Sequence, residues 1–228
     1  MNPKLQKIKE LVEKELCHLD PSHNIKHCIR VYNNCLLIAE EEKVDLEVLQ
    51  AAALLHDIGG AIEMSDQTGE IDHAEESVKM AAPILKDLDF PEDKIKHIQD
   101  CIISHRYRNE NKPKTIEAKI LFDADKLDSL GAIGIARSYI WVAKNNAKIY
   151  TNIDDIDVDE YVKENLAGKI NGRVKDKTKH SPQLQHETKS KFLADKMHTK
   201  KGKEIAKERT KYEKIFLDIL EKEIKGEL

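Results

Sequence analysis

The stretch ALLHDIGG at residues 53–60 places a histidine and an aspartate at the end of an apolar run and follows them with two glycines. Burying an ionised carboxylate beside an imidazole costs several kcal/mol unless a compensating charge accompanies it. The apolar run indicates a helix that ends in this pair. His56 and Asp57 therefore need a partner that makes their position favourable.

The composition around this stretch favours an all-α fold. Of the 228 residues, 35% are charged and 5% are aromatic, and the chain has nine glycines and six prolines. Turn formers and β-branched runs are both scarce, and no strand-like alternation occurs, so we expect roughly seven to ten helices. The predicted helices cover residues 4–18, the stretch after the turn at 20–22, 45 to the glycines at 59–60, 73–88, 91–106, 116–144 as one long helix, and 202–224.

Charge and cysteine content limit the possible functions. No apolar stretch reaches about 18 residues, so we expect no membrane span. Four cysteines without a CxxC pair are typical of reduced thiols, which favours a cytoplasmic protein. The net charge of −4 argues against nucleic acid as a partner of the whole protein, but residues 169–214 hold 15 Lys and Arg against six Asp and Glu. That basic segment is either a solvated surface or the wall of a site for an anionic substrate.

Four side chains from three predicted helices could hold a divalent metal ion: His27, His56, Asp57 and Asp125. Two imidazoles and two carboxylates form a mixed nitrogen and oxygen donor set that suits Mn, Co, Ni, Fe or Zn, with Mg also open. A bound cation would compensate the buried carboxylates and leave coordination positions open. Each residue alone is more often a core histidine, an ion pair at a helix end or part of a solvated face.

Three segments in this order make the chain recognisable: HNIKHCIRVYNNCLLIA from residue 23, AAALLHDIGG from residue 51, and AKILFDADKLDSLGAIGIAR from residue 118. Together they resemble the HD superfamily of metal-dependent phosphohydrolases, and the flanking stretches resemble its stand-alone bacterial members. The resemblance implies an HD-domain helical bundle with His27, His56, Asp57 and Asp125 as metal ligands. Asp123 would then lie behind the ligands or at a helix–helix contact.

Further residues are candidates for a second ion or for phosphate contacts. Some HD proteins hold two metal ions through additional histidines, and His73 and His105 lie in the corresponding interval. His23 lies four residues before His27, which would place both on one side of a helix. Surface or capping roles remain the alternative for each of these histidines. The basic candidates are Arg106, Arg108, Lys126 and Arg137 as anion contacts, with Lys200, Lys201 and Arg209 as an outer wall.

The resemblance implies hydrolysis of a phosphate ester or anhydride, with a nucleotide as the expected small-molecule substrate. Asp57 would orient the attacking water or accept its proton. We expect a single HD-type domain over residues 1–228, with the motifs at 20–140 and a basic helical extension at 145–228 packed on them. Two alternatives stay open: a di-iron oxygenase of a small molecule, and a non-catalytic HD domain that binds a nucleotide and regulates a partner. The oligomeric state is open as well.

Overall fold

The chain folds into helices and irregular connections. The computed structural model describes residues 2–68, 70–106, 111–170 and 172–228, and this part of the chain contains no β-strand. Ten α-helices in it have six residues or more, which confirms the all-α prediction. The α-helices are α1 Pro3–Leu16, α2 Ile25–Ala39, α3 Leu46–Leu55, α4 Gly60–Ser65, α5 His73–Asp87, α6 Glu92–Ser104, α7 Ile116–Leu127, α8 Gly131–Lys144, α9 Val158–Asn165, α10 Pro182–Gln185, α11 Lys191–Leu193 and α12 Lys200–Lys225.

The chain divides into two compact units, and the first contains the candidate site. It comprises residues 1–125 together with the segment His198–Gly202. Helix α3 lies at its centre and packs against α1, α2 and α6. Seven of the ten residues of α3 are buried, including Leu54 and Leu55, so this helix is apolar on all sides. The apolar run that precedes the His56–Asp57 pair is therefore the central core helix.

Side-chain caps define where the helices of the first unit begin. The Asp45 carboxylate accepts hydrogen bonds from the backbone N–H groups of Glu47 and Val48, which satisfies two of the donors left open at the start of α3. Helix α2 begins later than its sequence indicated, because Asn24 is its cap and Asp20 stabilises a preceding turn. His23 consequently lies before α2, not within it.

The prediction of one long helix over 116–144 is wrong, since the chain breaks between α7 and α8. Gly131 has a φ of +68°, in the left-handed region that residues with a side chain rarely adopt. The Ser129 hydroxyl donates to the carbonyl of Lys126, which gives the end of α7 a local partner. A helical apolar pattern on both sides of this break concealed it.

The second unit comprises residues 126–197 and 203–228. Its C-terminal helix α12 confirms the predicted last helix, and residues 182–196 form an irregular helical run with a π-helical turn at His186–Ser190. No helix in the described ranges has the length and apolar character to cross a membrane. All four cysteines are free thiols, three of them buried, as expected from their spacing. The packing of a basic extension on a motif-bearing core stays a prediction.

Candidate metal centre

The Asp57 carboxylate lies between two pairs of histidines and presents one oxygen to each. On the first side, Asp57 Oδ2 lies 3.3 Å from His27 Nε2 and 3.6 Å from His56 Nε2. The two imidazole nitrogens are themselves 3.2 Å apart. The three groups come from α2 and from the turn after α3, and they form one compact set that could hold a metal ion.

The second side of Asp57 has the same arrangement with different histidines. Asp57 Oδ1 lies 3.3 Å from His73 Nε2 and 3.5 Å from His105 Nε2, and these two nitrogens are 3.1 Å apart. His73 is the first residue of α5, and His105 follows the last residue of α6. This is the second set of side chains able to hold an ion among the described residues. We call the two sets the His27 group and the His73 group.

Backbone carbonyls determine which nitrogen of two imidazoles carries the proton. His56 Nδ1 lies 2.9 Å from the carbonyl of Ala53, and His105 Nδ1 lies 2.6 Å from the carbonyl of Ile102. A carbonyl oxygen can only accept, so each Nδ1 carries the hydrogen and each neutral imidazole presents an Nε2 lone pair to Asp57. Each group thus has a nitrogen lone pair directed at a carboxylate oxygen.

Converging lone pairs repel one another unless a cation or a proton lies between them. Ligand atoms bound at about 2.0–2.2 Å to one ion lie roughly 3–3.6 Å from one another. The separations within both groups, from 3.1 to 3.6 Å, match this spacing. The donor set of imidazole nitrogens and carboxylate oxygens therefore fits a divalent cation in each group.

Asp125 adds a second carboxylate to the His27 group. Its Oδ1 lies 3.4 Å from His27 Nε2. Asn34, on the same helix as His27, donates to the carbonyl of Ala124 at 3.1 Å and so holds α7 against α2. This contact between α2 and α7 brings Asp125 close to His27, although the two residues are 98 positions apart in the sequence.

Asp123, two residues before Asp125, has a different environment. It accepts hydrogen bonds from the backbone N–H groups of His198 and Thr199 and from the Thr199 hydroxyl, at 2.7–2.9 Å. A Cβ on Gly202 would lie 2.5 Å from its carboxylate oxygen, so the segment can approach this closely because residue 202 lacks a side chain. Asp123 therefore anchors the chain before α12, and burial raises the pKa of its carboxyl.

A carboxylate that the sequence reasoning missed lies behind the His73 group. Glu63 on α4 accepts a hydrogen bond from His73 Nδ1 through one oxygen and pairs with Arg106 at 2.7 Å through the other. Arg106 also contacts Asp72 at 2.8 Å. The sequence offered no motif for this contact, because Glu63 lies on the short helix α4 and its partners are ten and 43 residues away.

The electrostatics of the two groups differ. Burial lowers the pKa of His56 to about 4, despite the neighbouring Asp57 carboxylate. Burial alone would also lower the pKa of His73, but the effect of the Asp57 and Glu63 carboxylates outweighs that of burial, so this pKa is raised above its usual value. Burial would raise the pKa of Asp57, yet the surrounding imidazoles hold it well below the ordinary range.

The first glycine of the motif determines how closely the His56–Asp57 turn approaches α5. The Gly59 N–H donates to the Ser77 hydroxyl at 2.9 Å. A Cβ on Gly59 would lie 2.6 Å from the backbone nitrogen of Ser77, a distance that requires the backbone to move. A Cβ on Gly60 would meet nothing within 4 Å. Gly59 is therefore needed for the approach, and Gly60 is not.

The remaining predicted residues lie outside the two groups. His23 is exposed and contacts Asp20, because it precedes α2 and so lacks the helical spacing expected relative to His27. Both terminal nitrogens of Arg106 are engaged by carboxylates, which favours a role in holding Glu63 over direct anion binding. Arg108 lies outside the described residues. Lys200 is exposed, and Lys201 pairs with Glu41 at 2.9 Å.

Three predicted basic residues belong to the second unit. Arg137 donates to Asp128, and Arg209 donates to the carbonyl of Leu127 at 2.7 Å. Lys126 is the first residue of that unit. Their roles as anion contacts stay predictions.

Comparisons with known proteins place this geometry in context. The HD domain family model matches residues 24–130. Lin1889 of Listeria innocua is 27% identical, with a TM-score of 0.67 over 99% of this chain and 98% of its own. A predicted HD-superfamily hydrolase from an uncultured Thermotogales bacterium is 25% identical, with a TM-score of 0.65 over 97% and 93% of the two chains.

A curated relative covers a similar extent. YpgQ of Bacillus subtilis is 25% identical over 231 residues, which span 97% of this chain and 94% of YpgQ. A crystal structure of YpgQ in complex with ADP has a TM-score of 0.63 and covers 96% of this chain and 94% of its own. Its identity in that comparison is 23%, so this likeness concerns the fold.

Proposed function

We propose that this protein hydrolyses a phosphate ester or anhydride of a nucleotide with divalent metal ions, because residues 24–130 match the HD domain family model and the fold is similar to that of an HD-superfamily hydrolase. One observation carries the proposal: the two oxygens of Asp57 face two pairs of Nε2 atoms at 3.3–3.6 Å. A carboxylate shared in this way is suited to binding two cations side by side. Metal pairs of this kind are common in enzymes that cleave phosphate esters.

The proposal gives each residue a role. His27, His56, Asp57 and Asp125 would hold one ion, and Asp57, His73 and His105 would hold a second. Divalent ions at these positions would supply positive charge that polarises a phosphoryl oxygen and lowers the pKa of a water molecule. Asp57, whose carboxylate faces both groups, would orient that water or accept its proton. No serine or cysteine nucleophile is required.

Two features support a nucleotide as the substrate. YpgQ, which resembles this chain over nearly its full length, has been crystallised with ADP. Residues 169–214 carry an excess of nine positive charges in a protein whose net charge is −4, and such an excess attracts anionic substrates. We propose that Lys200 and Arg209, both within this stretch, contribute to phosphate binding. Arg137 and Lys126 are the further candidates.

Metal analysis of the purified protein, followed by a nucleotide screen with Mn²⁺, tests the proposal. We expect close to two ions per chain, and release of phosphate or pyrophosphate from one or more of the nucleoside mono-, di- and triphosphates and cyclic nucleotides. Asp57→Asn should abolish release, whereas the exposed Asp87→Asn serves as a control of equal charge. Tight metal binding without turnover of any nucleotide would overturn the assignment of substrate class.

A di-iron oxygenase is the second candidate, because four imidazoles and two carboxylates also suit iron. The two functions differ in their requirement for dioxygen. A phosphohydrolase retains its full rate with Mn²⁺ or Co²⁺ under anaerobic conditions, whereas an oxygenase loses all activity. Nucleotide hydrolysis that continues without dioxygen would exclude the oxygenase for that substrate. A non-catalytic nucleotide-binding domain would instead bind nucleotide in both the wild type and Asp57→Asn, with no product from either.

A further inference from the structure

The Glu63 carboxylate connects the His73 group to a network that no ligand role explains. One of its oxygens accepts a hydrogen bond from His73 Nδ1, and the other lies 2.7 Å from the Arg106 guanidinium. Arg106 is in turn fixed by Asp72, which also caps α5 by accepting from the N–H of Ala74 at 2.8 Å. These contacts link Asp72, the N-cap of α5, through Arg106 and Glu63 to His73, the first residue of the same helix.

His73 needs this carboxylate because it has a different support from the other oriented imidazoles. His56 and His105 each donate Nδ1–H to a carbonyl three residues earlier, in the last turn before the histidine. His73 begins its helix, so no preceding helical turn can offer it such a carbonyl. Glu63 supplies the missing acceptor, and the hydrogen on Nδ1 leaves the Nε2 lone pair facing Asp57 Oδ1 at 3.3 Å.

We propose that Glu63 is a positioning residue that sets the affinity of the His73 group for its ion and leaves the His27 group unaffected. The inference rests on the two-ion reading of the proposed function. A carboxylate behind a ligating histidine fixes its tautomer and raises its basicity, and loss of such a partner typically weakens metal binding by about 10–100-fold. Arg106 and Asp72 keep Glu63 in place, and neither of them contacts Asp57 in the described network.

Stepwise Mn²⁺ titration, followed by the electron paramagnetic resonance signal of free Mn²⁺, tests the inference without reference to activity. For Glu63→Ala we expect one binding step to weaken by about 10–100-fold and the other to stay as in the wild type. Glu63→Gln keeps an oxygen for His73 but loses its charge, so we expect a smaller loss at the same step. Glu70→Ala removes an exposed carboxylate from the same connection and should bind as the wild type does.

The tautomer of His73 provides a readout that a purely structural role of Glu63 would not change. Long-range ¹H–¹⁵N correlations of the metal-free protein, at a pH where the imidazoles are neutral, should show a hydrogen on Nδ1 of His73 in the wild type and in Glu63→Gln. In Glu63→Ala, His73 should exchange between tautomers, while the pattern of His56 stays unchanged. Circular dichroism identifies any variant that is unfolded, and Glu63→Gln, which is equal in size to the wild type, carries the comparison if Glu63→Ala does not fold.

The outcomes separate this inference from the proposed function. Equal weakening of both binding steps, or two unchanged steps in Glu63→Ala, would overturn the positioning role even if the wild type hydrolyses nucleotides. A selective loss at one step would support the role even if no nucleotide is hydrolysed, in which case the substrate class alone fails.

Discussion

The two histidine pairs around Asp57 achieve the same geometry with different supports. Each pair contains one buried histidine at a helix end that a backbone carbonyl orients, His56 in the His27 group and His105 in the His73 group. In the His73 group, His73 is 19% exposed and its orientation comes from Glu63, a side chain on another helix. A carbonyl in the preceding helical turn is present wherever a histidine ends a helix, whereas a carboxylate support depends on tertiary packing. The local fold therefore orients His56 and His105, whereas the orientation of His73 is open to adjustment by substitution of Glu63.

Replacing Asp57, the carboxylate that both groups share, should abolish metal binding in both groups. Asp57→Asn replaces one carboxylate oxygen by an NH₂ group, which cannot bind a cation, and removes the negative charge that the His27 group and the His73 group share. We expect both Mn²⁺ binding steps and any hydrolysis to be lost to background. Metal content by plasma mass spectrometry and product release measure this loss, with Asp87→Asn as the control. Retention of one tight step would show that the two groups do not depend equally on Asp57.

The two aspartates of α7 should separate metal binding from folding. Asp125 faces His27 at 3.4 Å, so Asp125→Asn should weaken the binding step of the His27 group and leave the His73 group intact. Asp123 accepts three hydrogen bonds, so Asp123→Ala should lower the free energy of unfolding by about 2–4 kcal/mol. Urea unfolding in EDTA and Mn²⁺ titration measure the two effects. Exchanged results, with Asp125→Asn destabilising the metal-free protein and Asp123→Ala sparing it, would contradict these roles.

The sequence predicts the ligands of the His27 group more directly than those of the His73 group, for a physical reason. His56 and Asp57 are adjacent in the chain and end the central apolar helix, so a local pattern indicates their burial. His73 and His105 lie at helix ends with polar neighbours, where a capping residue has the same pattern as a ligand. Glu63 acquires its role through contacts made ten and 43 residues away, and no periodicity encodes those.

The break between α7 and α8 was missed for a related reason. Amphipathic spacing continues through Asp128–Leu130, so the sequence pattern predicts no break there. The left-handed backbone conformation of Gly131 is seen only in the structure. His23 shows the opposite case: its spacing of four residues from His27 predicts a shared helix face, but Asn24 caps the helix and His23 lies before it. The fold class followed from composition and periodicity, whereas boundaries and tertiary partners did not.

The pH dependence of the metal-free protein should distinguish the two groups by sign. The pKa of His56 falls from 6.5 unfolded to about 4 folded, so between these values the unfolded chain binds a proton that the folded chain does not. Stability from this residue is lost as the pH falls, by up to about 3 kcal/mol. The folded pKa of His73 is raised, so its contribution is present below pH 6.5 and is lost as the pH rises through the folded value.

Urea unfolding in EDTA from pH 4 to 8 measures these opposite slopes. His56→Asn should flatten the loss of stability between pH 6.5 and 4, and His73→Asn should flatten the loss above pH 6.5. Identical pH profiles for the two variants would contradict the difference in environment.

The two glycines after Asp57 should give the smallest and most local effects. Gly59→Ala forces a Cβ to within 2.6 Å of the Ser77 backbone nitrogen, so we expect a loss of about 1–3 kcal/mol in the free energy of unfolding. Gly60→Ala adds a Cβ in open space at the first residue of α4, and should be neutral or stabilising by up to about 1 kcal/mol. Because Gly59 sets the approach to α5, which carries His73, Gly59→Ala should also weaken the binding step of the His73 group more than that of the His27 group. Urea unfolding and Mn²⁺ titration of both variants measure these differences, and equal stability of the two variants would show that the backbone of α5 adjusts without cost.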